Sequence, residues 1–152
     1  MKPSSESLHT SAEPRPSIHQ AAVDTFFQGL EGHDADLVAG LLADDVILEI
    51  PFNASGSTAP AARFEGKQAM MGYVNQIVTS FSRIVLTDKR SYAAEHGTVF
   101  FEGKGDLVHA ASGAPYKNLY VFKFGFRSNL IAQVSEYSNP VIYAKLVGAP
   151  IG

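Results

Sequence analysis

The chain has 152 residues, with 12 Lys and Arg against 15 Asp and Glu, a net charge of −3, and 45% hydrophobic residues. That length holds one domain around one core, and the absence of a basic excess argues against a nucleic-acid partner. Without cysteine, disulfide frameworks, thiolate metal sites and cysteine nucleophiles are excluded. No apolar run approaches the roughly 18 residues of a membrane span, and the first 16 residues lack the apolar stretch of a secretory signal. The expectation is a soluble cytoplasmic protein with no membrane partner.

Residues 1–16 are rich in Ser and Pro, show no hydrophobic period and read as a disordered tail. A single domain is expected over 17–152. Ser17 can cap a first helix, in which Ile18, Ala22, Phe26 and Leu30 recur at helical spacing. Gly32 and His33 end it. Asp34 can cap a second helix with Leu37, Val38, Leu41 and Leu42 on one face. Residues 46–52, VILEIPF, read as a strand stopped by Pro51, and residues 53–62 as a loop long enough to cover something. A third helix opens after Gly66, with Met70, Tyr73, Val74, Ile77, Val78 and Phe81 as its apolar stripe.

From Arg83 the period changes. Runs at about 83–93, 98–110, 116–127 and 130–137 are β-branched and aromatic, with turn signals between them. Four such strands make an antiparallel meander. The predicted class is α+β: a curved antiparallel sheet wrapped around three N-terminal helices. In strand 118–124, Asn118, Tyr120, Phe122 and Phe124 share one face, and Leu119, Val121 and Lys123 the other. Both faces are largely apolar and need cover. Helices can cover one; a second copy of the chain most simply covers the other, so a homodimer through the sheet is expected.

Several clusters have a bland reading that outweighs a chemical one. His33, Asp34 and Asp36 read as an inter-helix turn rather than a metal site. Gly103-Lys104-Gly105 is too short to cradle phosphate and reads as a bulge that bends the sheet. Glu49 alternates with Ile50 and faces away from any pocket that Ile50 lines. Arg63 and Lys67 read as a solvated face. No nucleotide or metal motif is present, so no cofactor and no metal is implied.

The segments Phe26-Phe27-Gln28-Gly29-Leu30, Leu41-Leu42-Ala43-Asp44-Asp45-Val46 and Ile50-Pro51 resemble the nuclear-transport-factor-2-like superfamily. So do Phe64-Glu65-Gly66-Lys67, the run from Tyr116 to Phe122, and Glu136-Tyr137-Ser138-Asn139-Pro140. Its SnoaL-like polyketide cyclase and ketosteroid isomerase-like branch is the most similar. The resemblance covers about residues 17–147 and implies a cone-shaped, cystatin-like roll with a pocket at the wide end. It says little about function, because this fold hosts isomerases, cyclases, dehydratases, epoxide hydrolases and non-catalytic members.

Carried over, the ketosteroid isomerase base falls at Ile50, its tyrosine donor at Phe26 and its protonated aspartate at Tyr120, so classical ketosteroid isomerisation is not expected. The Arg-x-Asp pair of epoxide-hydrolase-like members has no counterpart near Phe100 to Gly103. His96 and His109 do not form the histidine pair of the dehydratase-like members. The ending Glu136 to Pro140 resembles phenazine biosynthesis A/B proteins, whose glutamate acts in acid/base work; here that residue is Glu136, without a matching histidine on the third helix.

Two orientations of Glu136 are open. Strict alternation puts Gln133, Ser135 and Tyr137 inward and Glu136 outward, and a bulge near Ser135 would reverse this. Inside an apolar cone its carboxyl would be driven toward neutrality, as a general acid or base needs. Tyr120 and Asn118 could bind a carbonyl oxygen, with Tyr73 and Tyr137 as further polar lining. Phe26, Ile50, Phe52 and Phe122 read as apolar wall. The expected function is a small-molecule isomerase, cyclase or dehydratase acting on an apolar oxygenated substrate, with Glu136 and Tyr120 catalytic. The alternatives are a non-catalytic dimeric binder of an apolar metabolite and an interaction module that uses the sheet face.

Overall fold

The structure is a computed structural model and describes residues 17–151; the expected tail at 1–16 lies outside the described residues. Helix α1 (Ile18–Glu31) opens with a reciprocal cap. The Gln20 amide donates to Ser17 Oγ at 3.0 Å, and the Ser17 amide donates to Gln20 Oε1 at 2.8 Å. Helix α2 (Ala35–Ala39) is one turn long, capped by Asp34, which accepts from the Leu37 amide at 3.1 Å. Gly29 lets the two helices close: a Cβ there would lie 2.7 Å from Val38 Cγ2.

Strand β1 (Leu42–Ile50) begins four residues earlier than the sequence reading. Leu41 and Leu42 therefore leave the second helix, because the Leu41 carbonyl accepts from the Ile131 amide at 2.8 Å and starts sheet pairing there. At the end of the expected loop, Ala62–Glu65 forms a short strand, β2, antiparallel to β1. Helix α3 (Lys67–Ser80) passes directly into β3 (Phe81–Ala93), so Phe81 starts a strand instead of closing the helical stripe. Then come a 3-10 turn (Glu95–Gly97), β4 (Val99–His109), β5 (Pro115–Tyr116), β6 (Leu119–Arg127) and β7 (Leu130–Ser138). A last helix, α4 (Pro140–Val147), which the sequence reading missed, is capped by Asn139 and stopped by Gly148 at φ 71°.

The sheet order is β2-β1-β7-β6-β4-β3, with β5 paired to β4. Every pair is antiparallel except β1 with β7. The expected antiparallel sheet thus contains one parallel pair, possible because the whole meander separates the two strands in the chain. Helix α1 packs on β3 and β4, and α3 on β1, covering one face. Phe26, Phe27, Phe101, Phe122 and Phe124 form the aromatic centre of the core, with Phe27 stacked on Phe101 at 3.9 Å.

Two irregularities shape the sheet. Opposite Gly103, β3 inserts Asp88 and Lys89, with Asp88 at φ 52°; the expected bulge sits on the strand facing the glycine motif, not on it. In β7, Gly125 pairs with Gln133 but Phe126 pairs with Ile131, leaving Ala132 as an extra residue.

Candidate functional site

The Ala132 bulge decides the site. Ile131 and Val134, three residues apart, are both buried. The inward phase therefore moves from odd to even positions, and Glu136 pairs with Phe122 on the helix-covered face. Gln133 is exposed, and the reversal lies at Ala132, not near Ser135.

Two adjoining spaces lie under the helices. An outer chamber of about 590 Å³ runs between α3, the segment after β1 and α4. An inner chamber of about 60 Å³ lies between α1, α3 and the sheet. Tyr73, Ile77, Leu107, Tyr120 and Glu136 line both and form the neck between them.

At the neck, Tyr73 Oη donates to Glu136 Oε1 at 2.9 Å. Tyr73 comes from α3 and its ring stacks on Phe64 of β2 at 4.8 Å, which locks its direction. Burial pushes the Glu136 carboxyl up to about 7, and the Tyr73 hydrogen bond pulls it partly back. Glu136 keeps some accessible surface, and that surface borders the chambers. Burial raises Tyr73 well above the ordinary tyrosine value, with the Glu136 charge adding to it. Tyr120 is raised by burial first, then by Tyr116 and Glu136. Both phenols stay protonated and can donate. Gly105 leaves room for the Tyr120 ring: a Cβ there would lie 2.7 Å from Tyr120 Cε2.

Asn118 has a different place from the one expected. It precedes β6 and is buried. Its Nδ2 donates to Tyr116 Oη at 2.8 Å and to the Asn139 carbonyl at 3.1 Å. Its Oδ1 accepts from the amides of Leu119 at 2.8 Å and Asn139 at 3.1 Å. With its amide engaged on both sides, Asn118 clamps the start of α4 and does not line either chamber. Tyr137 lies on the opposite face from Glu136, against Phe52 at 5.2 Å, and lines neither chamber. Of the other expected residues, Phe26 and Phe122 line the inner chamber. Ile50 and Phe52 line the outer one, with Phe52 half-exposed at its rim.

Sequence reasoning did not place Gln76, Ser80, His109, Tyr116, Ser138 and Tyr143, which add polar groups to the outer chamber. Gln76 and Ser80 follow Tyr73 at helical spacing, which was the one available signal. His109 contacts Ser112 Oγ through Nδ1 at 2.9 Å. Elsewhere Glu49 lies on the outer face, 3.0 Å from Arg63. Among the described residues no group of three or more His, Cys, Asp or Glu could hold a metal ion. Among the same residues no helix is long and apolar enough to cross a membrane.

A curled sheet packed over helices encloses a largely apolar cavity into which the Glu136 carboxyl faces, the architecture of a cone-shaped α+β domain. The SnoaL-like domain family matches residues 23–134, and the chain belongs to that family. Solved structures share the fold at low identity. A Bacillus subtilis protein provisionally named an isomerase is 21% identical, with TM-score 0.76, over 88% of this chain and 95% of that one. A Xanthomonas campestris pv. campestris protein provisionally named a polyketide cyclase is 21% identical, with TM-score 0.72, over 86% and 96%. A hypothetical protein of ketosteroid isomerase-like fold from Catenulispora acidiphila, solved with trimethylamine, is 15% identical, with TM-score 0.67, over 90% and 96%. No curated protein matches the chain.

Proposed function

We propose that this SnoaL-like domain is a small-molecule isomerase, cyclase or dehydratase that moves a proton on an apolar oxygenated substrate. Glu136 is the acid/base group and Tyr120 the donor to a substrate oxygen. One observation carries this reading: a buried carboxyl at the neck of the cavity, oriented by Tyr73 and pushed up to about 7. Such a group exists in both protonation states near neutral pH, which suits it to take a proton from a carbon beside a carbonyl and return it elsewhere. Tyr120, kept protonated by burial, would hydrogen-bond the enolate oxygen as charge develops there. The step uses the chain's own residues.

The test has two readouts. Carbon-13 carboxyl NMR, assigned with Glu136→Gln, should give a titration near 7, against an ordinary value of about 4.3. Deuterium exchange beside the carbonyl of simple aryl ketones should be faster with the protein than with Glu136→Gln. An ordinary carboxyl titration with no exchange would overturn the reading.

A second reading, a non-catalytic binder of an apolar metabolite, draws on Ile50 and Phe26. They are apolar where the resemblance implies a base and a donor, and both line the cavity. Ligand binding without exchange would establish it. In either reading we propose a homodimer through the outer sheet face. Leu119 and Val121 are exposed there, beside Lys123 and Glu102 of the same face. An apolar stripe flanked by both charge signs can complement its own copy across a two-fold axis.

A further inference from the structure

The two chambers differ in size and chemistry, and we infer from them the shape of the ligand: a ring in the outer chamber, an oxygen at the neck, and a short alkyl arm in the inner chamber. This rests on the proposed site and narrows its substrate class to ring compounds bearing a short acyl chain.

The inner chamber is walled by side chains such as Phe27, Leu30, Val74, Ile84 and Leu86, and its polar groups are confined to the neck. A cavity lined in this way gives water no partners and stays dry, so an apolar group entering it loses little hydration that it would want to keep. Its volume of about 60 Å³ is well below the roughly 150 Å³ of an apolar cavity that accepts benzene. A ring therefore does not fit, whereas two or three carbons do. The outer chamber, about 590 Å³, has room for one or more rings and offers hydroxyl, amide and imidazole groups to their substituents. Glu136 and Tyr120 stand between the two spaces. A carbonyl joining ring to chain would thus sit at Tyr120, with the first chain carbon beside the Glu136 carboxyl. That carbon carries the proton an enolisation removes. The carboxylate takes it, the C–H electron pair moves into the C=C bond of the enolate, and the negative charge rests on the oxygen.

The experiment is a chain-length series of phenyl alkyl ketones, from methyl to pentyl, titrated against the full chain by calorimetry. Methyl-labelled NMR follows Leu30, Ile84 and Leu86. Each carbon that enters the inner chamber should tighten binding about fourfold. The gain should stop at the two- or three-carbon chain and reverse beyond it. The three methyl reporters should shift progressively along the rising part of the series. Leu86→Phe, which fills the chamber, should move the optimum to the methyl ketone. Leu30→Ala, which enlarges it, should move the optimum to a longer chain. Circular dichroism identifies which variants are folded, and the wild-type series decides the matter even if neither is. A flat profile, a monotonic rise through the pentyl ketone, or unmoved methyl reporters would overturn the inference. These outcomes are independent of the proton reading. An ordinary Glu136 titration with no exchange would sink acid/base action and leave the chain-length optimum intact, and a flat profile would do the reverse.

Discussion

Glu136 illustrates what one buried carboxyl does to both chemistry and stability. Its pKa rises from 4.5 to about 7 because burial penalises the charged form. Between those values the folded protein holds a proton that the unfolded chain has already lost. Stability therefore falls as pH rises through that window and levels off above it, by roughly 3 kcal/mol at the limit. Glu136→Gln should flatten this slope, so that the variant gains melting temperature relative to the parent at pH 8 but not at pH 4. The same substitution should lower any proton-transfer rate by about 10²- to 10⁴-fold. Tyr73→Phe removes the hydrogen bond that lowers the Glu136 pKa. The carboxyl titration should then move further up, and a downward move would contradict the assigned role.

At the scale of elements, two local features position the site. Gly105 gives the Tyr120 ring its place against β4. Gly105→Ala should destabilise the fold by about 1–3 kcal/mol through overpacking, and should weaken ketone binding by displacing Tyr120. Denaturant unfolding together with the calorimetric titration checks both effects. The Asn118 clamp acts on α4, which borders the outer chamber. Asn118→Ala leaves Tyr116 Oη and both backbone groups of Asn139 without their present partner. The expected cost is about 2–4 kcal/mol for buried polar groups left unpaired. Amide exchange should accelerate most in α4; uniform acceleration over the whole chain would contradict a clamp specific to that helix.

Among the described residues, helices cover one face of the sheet and leave the other bare. The proposed dimer should sediment at twice the monomer mass, and Val121→Glu should return it to monomer by burying a charge at the contact. A wild-type monomer at micromolar concentration would remove that proposal. Such a result would also reopen the reading of the bare face as a surface for a different chain.

The parts that were legible in the sequence are those made by near neighbours. The α1 cap is a hydroxyl and an amide three residues apart, the α3 stripe repeats at helical spacing, and the meander alternates with turn signals between its strands. Three features were not legible. The four residues of β2 become a strand because β1 offers its edge. Helix α4 is eight residues long, below the length at which helices are stable alone, and depends on Asn118 from another part of the chain. The parallel β1·β7 pair joins segments separated by the whole meander. The sequence by itself determined the class of fold, the apolar walls and the presence of a carboxyl near the end of the last strand. Only the tertiary structure decided that this carboxyl points inward. One extra residue at Ala132 shifts the strand by half its period, and such a shift depends on pairing with Gly125 and Phe126, which local alternation does not register.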